Sequence, residues 1–117
     1  MGRLSTHVLD TAHGEPAAGV DVTLSRLDGA TWQQLKRVRT NADGRTDEPL
    51  LSGDALAPGV YRLEFAMGEH FRRRGMKLGE PAFVDHVVLQ VGIADAAAHY
   101  HVPLLASPWS YSTYRGS

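Results

Sequence analysis

Along most of the chain, apolar and polar residues alternate with a period of two, the spacing of a strand with one face buried. Val20, Val22 and Leu24 fall on one side of such a segment, with Asp21, Thr23 and Ser25 on the other. Tyr61, Leu63, Phe65 and Met67 share a face across 59–67, the clearest strand in the sequence. Arg3 to Asp10 is a further strand, with Val8 toward the core. The segment 31–40 alternates less regularly. Phe83 to Val91 is a strand with Phe83, Val87, Leu89 and Val91 on one face. His99 to Ala106 and the segment after Ser107-Pro108 close the chain as two last strands.

Turn signals separate these runs. Thr11 to Pro16, Asp28-Gly29 and Asn41-Ala42-Asp43-Gly44 read as turns, Leu50 to Pro58 as a loop and Ala94 to Ala98 as a linker. One short helix is predicted, over Glu69 to Lys77 and closed by Gly75 and Gly79. Seven or eight short strands without intervening helices predict an all-β antiparallel sandwich. Residues 1–117 are expected to form one domain.

Composition narrows the function classes. With 12 basic against 13 acidic residues, the formal net charge is −1. No concentrated basic face is available for nucleic acid, and Arg72-Arg73-Arg74 is read as a solvated patch. The absence of cysteine removes disulfides, thiolate catalysis and thiolate metal sites. No apolar run approaches the roughly 20 residues of a membrane span. The opening residues carry no apolar leader, so a cytoplasmic protein is expected.

Candidate chemistry lies with the six histidines, His7, His13, His70, His86, His99 and His101. Residues i and i+2 of a strand share a face. With Tyr100, Val102 and Leu104 toward the core, His99 and His101 project together on the opposite face. His7, beside a core-facing Val8, also points outward and joins them if the first and last strands share a sheet. Two chemistries remain open for such a group, a histidine metal site and acid–base catalysis. Arg45 directly follows a glycine turn, and Arg115 stands near the end of the sequence; either is by default a solvated arginine. No Gly-x-Ser-x-Gly elbow or phosphate-cradling loop is present.

Three blocks carry a family resemblance. Tyr100-His101-Val102-Pro103-Leu104-Leu105, together with Tyr111-Ser112-Thr113-Tyr114-Arg115-Gly116-Ser117, resembles the 5-hydroxyisourate hydrolases, the transthyretin-like proteins of purine catabolism. Leu4 to Asp10 with Gly14-Glu15-Pro16-Ala17 resembles that family's first strand and turn. Thr40 to Arg45 resembles its arginine-bearing turn. The terminal Tyr-Arg-Gly-Ser is the discriminating motif, which the hormone carrier transthyretin lacks. The chain departs from the family at Leu78-Gly79-Glu80-Pro81-Ala82-Phe83, where an aromatic Phe-Phe-Pro-Glu segment is usual.

The resemblance implies a transthyretin-like sandwich of two four-stranded sheets, assembled as a homotetramer, a dimer of dimers with active sites in the channel between dimers. It implies hydrolysis of the ring amide of 5-hydroxyisourate, giving 2-oxo-4-hydroxy-4-carboxy-5-ureidoimidazoline, which a later enzyme decarboxylates toward S-allantoin. His7, Arg45, His101 and Ser117 are implied as catalytic. His7, Arg45, Tyr114, Arg115 and Gly116 are implied as substrate-binding. His99 is read as a neighbour of the site. Neither metal nor cofactor is implied, and the partners are the small-molecule substrate and further copies of the chain, without nucleic acid or membrane. The alternative is a binding protein on the same fold without catalysis.

Overall fold

The architecture follows from which faces the alternating segments bury. In a computed structural model that describes residues 1–116, nine strands form two sheets around one apolar core. The first sheet is built on β1 (Arg3–Asp10) and β8 (His99–Ala106). Its strand order is β2 (Glu15–Pro16), β1, β8, β9 (Tyr111–Thr113), with the two-residue β5 (Leu51–Ser52) also paired to β1. The second has the order β4 (Thr31–Arg39), β3 (Asp21–Asp28), β6 (Gly59–Ala66), β7 (His86–Ile93), all antiparallel.

Leu4, Val8, Val102 and Leu104 face inward from the first sheet, against Val22, Leu24, Leu63, Phe65 and Val87 from the second. Each such side chain contributes about 1.5–3 kcal/mol by leaving water. Burial of alternate residues fixes register, because a slip of one position would turn every inward residue outward. Buried polar groups among them are paired: the Thr6 hydroxyl donates to the Val102 carbonyl at 2.7 Å, and Tyr61 donates to the Ala57 carbonyl at 2.7 Å.

The transthyretin-like sandwich expected from the sequence is present, with differences in detail. The pair at the centre of the first sheet, β1 with β8, is parallel rather than antiparallel. Its far edge is extended by β5, which forms where a loop was predicted because Leu50, Leu51 and Leu56 are buried. The helix, α1, spans Met67–Arg73, two residues ahead of the predicted start. Met67 and Phe71, one helical turn apart and both fully buried, anchor it to the core. Gly68 packs so closely on Asp85 that a Cβ there would lie 2.3 Å from the carboxylate. Gly75, at φ +80°, follows the end of α1 in the left-handed region. The predicted strand beginning at Phe83 begins instead at His86. Phe83 is 76% exposed, and Val87, Leu89 and Ile93 supply the inward face.

At the end of β1, the buried Asp10 carboxylate ties three segments together. It accepts from the His13 backbone N–H at 2.9 Å and contacts His13 Nδ1 at 2.7 Å and His70 Nε2 of α1 at 2.9 Å. Burial alone would raise its pKa. The hydrogen bonds from His70 and His13, with the charge of His13, outweigh that and hold it below the usual carboxylate value. Stability from Asp10 is therefore present above the ordinary carboxylate pKa and is lost as pH falls through its lowered value. Asp10→Asn is expected to cost about 1–3 kcal/mol in urea unfolding near neutral pH. The variant should also lose less stability on acidification than the wild type; parallel acid profiles would contradict the assignment.

Candidate active site

The site is built from the row structure of the first sheet. Parallel pairing places Arg3 beside His99, Ser5 beside His101 and His7 beside Pro103. Paired residues share a sheet face. Leu4, Thr6 and Val8 point to the core, so Arg3, Ser5 and His7 point outward together with His99 and His101.

The other edge of β1 is covered by short pieces. Glu15-Pro16 pairs with its end and Leu51-Ser52 with its start. Between them, Arg45 makes an isolated bridge to His7. The turn before Arg45 makes this approach possible. Asn41 Oδ1 accepts from the N–H groups of Asp43 at 2.9 Å and Arg45 at 3.2 Å, an arrangement in which an asparagine side chain closes its own turn. Gly44, at φ +74°, lets the chain pass so close to β1 that a Cβ would meet the Val8 carbonyl at 2.3 Å. The Gly44 carbonyl accepts from the Val8 N–H at 2.7 Å.

On the other side of β8, Gly116 bridges His101, its N–H donating to the His101 carbonyl at 2.7 Å. A Cβ on Gly116 would fall 2.7 Å from His101 Cδ2 and 3.2 Å from its Cβ, so the imidazole occupies the space a side chain would need. His101 Nδ1 lies 2.8 Å from Ser5 Oγ. His7 Nε2 lies 2.8 Å from the Asp43 carbonyl, which can only accept, so that nitrogen carries a proton.

A cleft of about 450 Å³ opens above this row, lined by residues that include Ser5, Arg45, Glu48, His99 and His101. Burial holds the His101 pKa below the ordinary histidine value, and the nearby Arg45 and His7 lower it further. At neutral pH His101 is therefore an uncharged base beside a fixed cation. Arg45 is exposed and, among the described residues, makes no ion pair. Among the same residues, no three His, Asp or Glu side chains are grouped to hold a metal ion.

The HIUase/Transthyretin family profile matches residues 4–116. The chain belongs to this family. A 5-hydroxyisourate hydrolase of Ralstonia nicotianae is 58% identical over 117 residues, covering 100% of both chains. The structure of Klebsiella pneumoniae 5-hydroxyisourate hydrolase superposes with a TM-score of 0.82, at 37% identity and 100% coverage of both chains. Sea bream transthyretin in complex with thyroxine superposes at 0.87, with 27% identity over 97% of this chain and 94% of that one.

Of the residues that the family resemblance singles out, the structure gathers His7, Arg45, His101 and Gly116 around two neighbouring outward rows of the sheet, with Arg45 and His101 lining the cleft. His99 stands at the rim of the cleft. Tyr114 and Arg115 lie elsewhere. They line a separate groove of about 360 Å³ with Val91, Tyr100 and Val102. The Arg115 guanidinium stacks 4.3 Å from the Tyr100 ring centre and donates to the His99 carbonyl at 3.3 Å. Ser117 lies outside the described residues. Two contributors have no sequence reading of their own: Ser5, which holds His101, and the Asp43 carbonyl, which holds His7. The alternation that turns His7 outward also turns Ser5 outward, so the first was within reach; a backbone carbonyl leaves no such signal.

Replacing Gly116 by Ala is expected to displace the His101 ring and to shift its imidazole resonances and its titration, while the denaturation midpoint changes little. Unchanged His101 resonances in that variant would contradict the packing described.

Proposed function

We propose that the chain hydrolyses 5-hydroxyisourate to 2-oxo-4-hydroxy-4-carboxy-5-ureidoimidazoline, with His101 as the base that activates water. The observation that carries this reading is a neutral imidazole held on the sheet face beside an arginine without an ion pair among the described residues, in a chain whose full-length relatives are named for this hydrolysis.

His101 takes a proton from a water molecule as that water attacks the ring amide carbonyl. The carbonyl oxygen becomes an oxyanion, and Arg45 supplies the positive charge that stabilises it. The carbon–nitrogen bond then breaks, the departing nitrogen takes the proton back from His101, and the ring opens to a carboxylate. Water is the only co-reactant the balance requires. His7 is assigned to bind and orient the substrate beside Arg45, with its outer nitrogen fixed by Asp43. Gly116 and Ser117 are assigned to the substrate-binding wall, and Ser117 to the catalytic set; Tyr114 and Arg115, which line the separate groove, are not.

The site is proposed to work within a homotetramer, a dimer of dimers, in which a second copy covers the outward face of the first sheet and encloses the cleft. Uncovered edge strands, β7 and β9, and the exposed Trp109, Tyr111 and Tyr114 agree with burial by other copies. Light scattering after size exclusion should return the mass of four chains, and full activity in a clean monomer would contradict the enclosed site. A cytoplasmic location is proposed for the same enzyme.

The wild type should accelerate the ultraviolet decay of freshly prepared 5-hydroxyisourate. His101→Asn should slow it by roughly a hundredfold or more, and Arg45→Ala by at least about tenfold. Because Arg45 lowers the His101 pKa, the acid limb of kcat/KM should move to higher pH in Arg45→Ala. Variants as fast as wild type would overturn the site. A protein that binds the heterocycle but leaves its decay unchanged would be a carrier.

A further inference from the structure

We propose that Ser5 is a positioning residue for this hydrolysis: its hydroxyl accepts the Nδ1–H of His101, holds the neutral ring in that tautomer, and leaves the Nε2 lone pair for the cleft. The inference rests on the hydrolase reading and adds to it which nitrogen does the work.

Register brings the two groups together. Ser5 is the direct partner of His101 across the parallel pair, and Ser5 Oγ lies 2.8 Å from His101 Nδ1. Among the described residues this is the only side-chain hydrogen bond either group makes. The ring has little freedom to leave it, because Gly116 closes on Cδ2 from the neighbouring backbone. Nδ1 is thereby occupied, and Nε2 is the nitrogen left to face the cleft that His101 lines.

A hydroxyl both donates and accepts, so the direction of the bond depends on the other nitrogen. Arg45 lines the same cleft as His101, and its charge acts on the ring. A cation favours a lone pair over an N–H dipole pointed at it. The proton therefore belongs on Nδ1, donated to Ser5, and the base is Nε2. His7 is held the opposite way. Its Nε2 donates to the Asp43 carbonyl, and its neutral form keeps the lone pair on Nδ1. The two histidines present opposite tautomers, His7's set by the Asp43 carbonyl and His101's by the Arg45 charge with Ser5 accepting the proton, and this separates their roles. His101 offers a lone pair at its ring tip, whereas His7 has its tip committed to the backbone.

The test combines a spectrum with kinetics. Long-range proton–nitrogen correlation on 15N-labelled protein, with His101 identified by its loss in His101→Asn, reports which ring nitrogen is protonated above the His101 titration. The wild type should show the Nδ1–H form. Ser5→Ala should shift the ring toward the Nε2–H form and lower kcat by about tenfold or more, with KM changed less than about twofold. Ser5→Thr should restore both, since its hydroxyl stands at the same strand position. A wild-type His101 in the Nε2–H form overturns the proposal, as does a Ser5→Ala variant with unchanged tautomer and kcat. Should Ser5→Ala fail to fold, the wild-type spectrum together with Ser5→Thr decides. A wild type that shows no turnover of 5-hydroxyisourate overturns the hydrolase reading instead, and the spectrum still reports the ring.

Discussion

The parallel register of β1 with β8 is the constraint on which the site depends. It joins residues nearly 100 positions apart and places Ser5 beside His101 and His7 in the next outward row. The core enforces that register, since Leu4 and Val8 on one strand and Val102 and Leu104 on the other must all point inward. A slip by one residue would bury the imidazoles and expose the leucines. The energy that aligns the outward row therefore comes from the apolar side, and the functional groups need only be tolerated on the other. Arg45 and Gly116 then join from either side by single backbone bridges, each made possible by a glycine in close contact.

One cation serves two ends in this arrangement. Arg45 helps keep His101 uncharged at neutral pH, which a base requires, and in the proposed mechanism it also meets the negative charge that develops when that base acts. Asn41 and Gly44 hold the turn that carries it, so the position of the Arg45 backbone traces to an asparagine-closed turn and a glycine packed on β1. The Asp10 cluster with His13 and His70 lies at the far end of the same strand and serves the fold. Histidine count alone would not have separated the two groups.

The strands were legible where alternation was clean. The strand readings of Val20 to Leu27 and Gly59 to Met67 fall within one residue of the observed bounds, because Val22 and Leu24 in one and Tyr61, Leu63 and Phe65 in the other are fully buried. Phe83 fits the inward alternation of its segment although its ring is 76% exposed, and Met67 continues the strand alternation before it opens α1, which moves the predicted helix start two residues late. The parallel pairing of β1 with β8 could not be read, since strand direction depends on chain-long topology rather than on any local pattern. The outward placement of His7 and His101 followed from period two. Their meeting with Arg45 followed only from resemblance, because an isolated bridge leaves no periodic trace. The place of Arg115, stacked on Tyr100 in a separate groove, was beyond sequence reasoning altogether.

A crystal structure with a slowly reacting oxopurine analogue puts the central claim, that chemistry takes place over the β1–β8 row, to its most direct test. The account predicts the heterocycle in the cleft between His101 Nε2 and the Arg45 guanidinium, with its carbonyl toward the arginine. An analogue seated instead in the groove of Tyr100 and Arg115, with the cleft over His101 vacant, would contradict it.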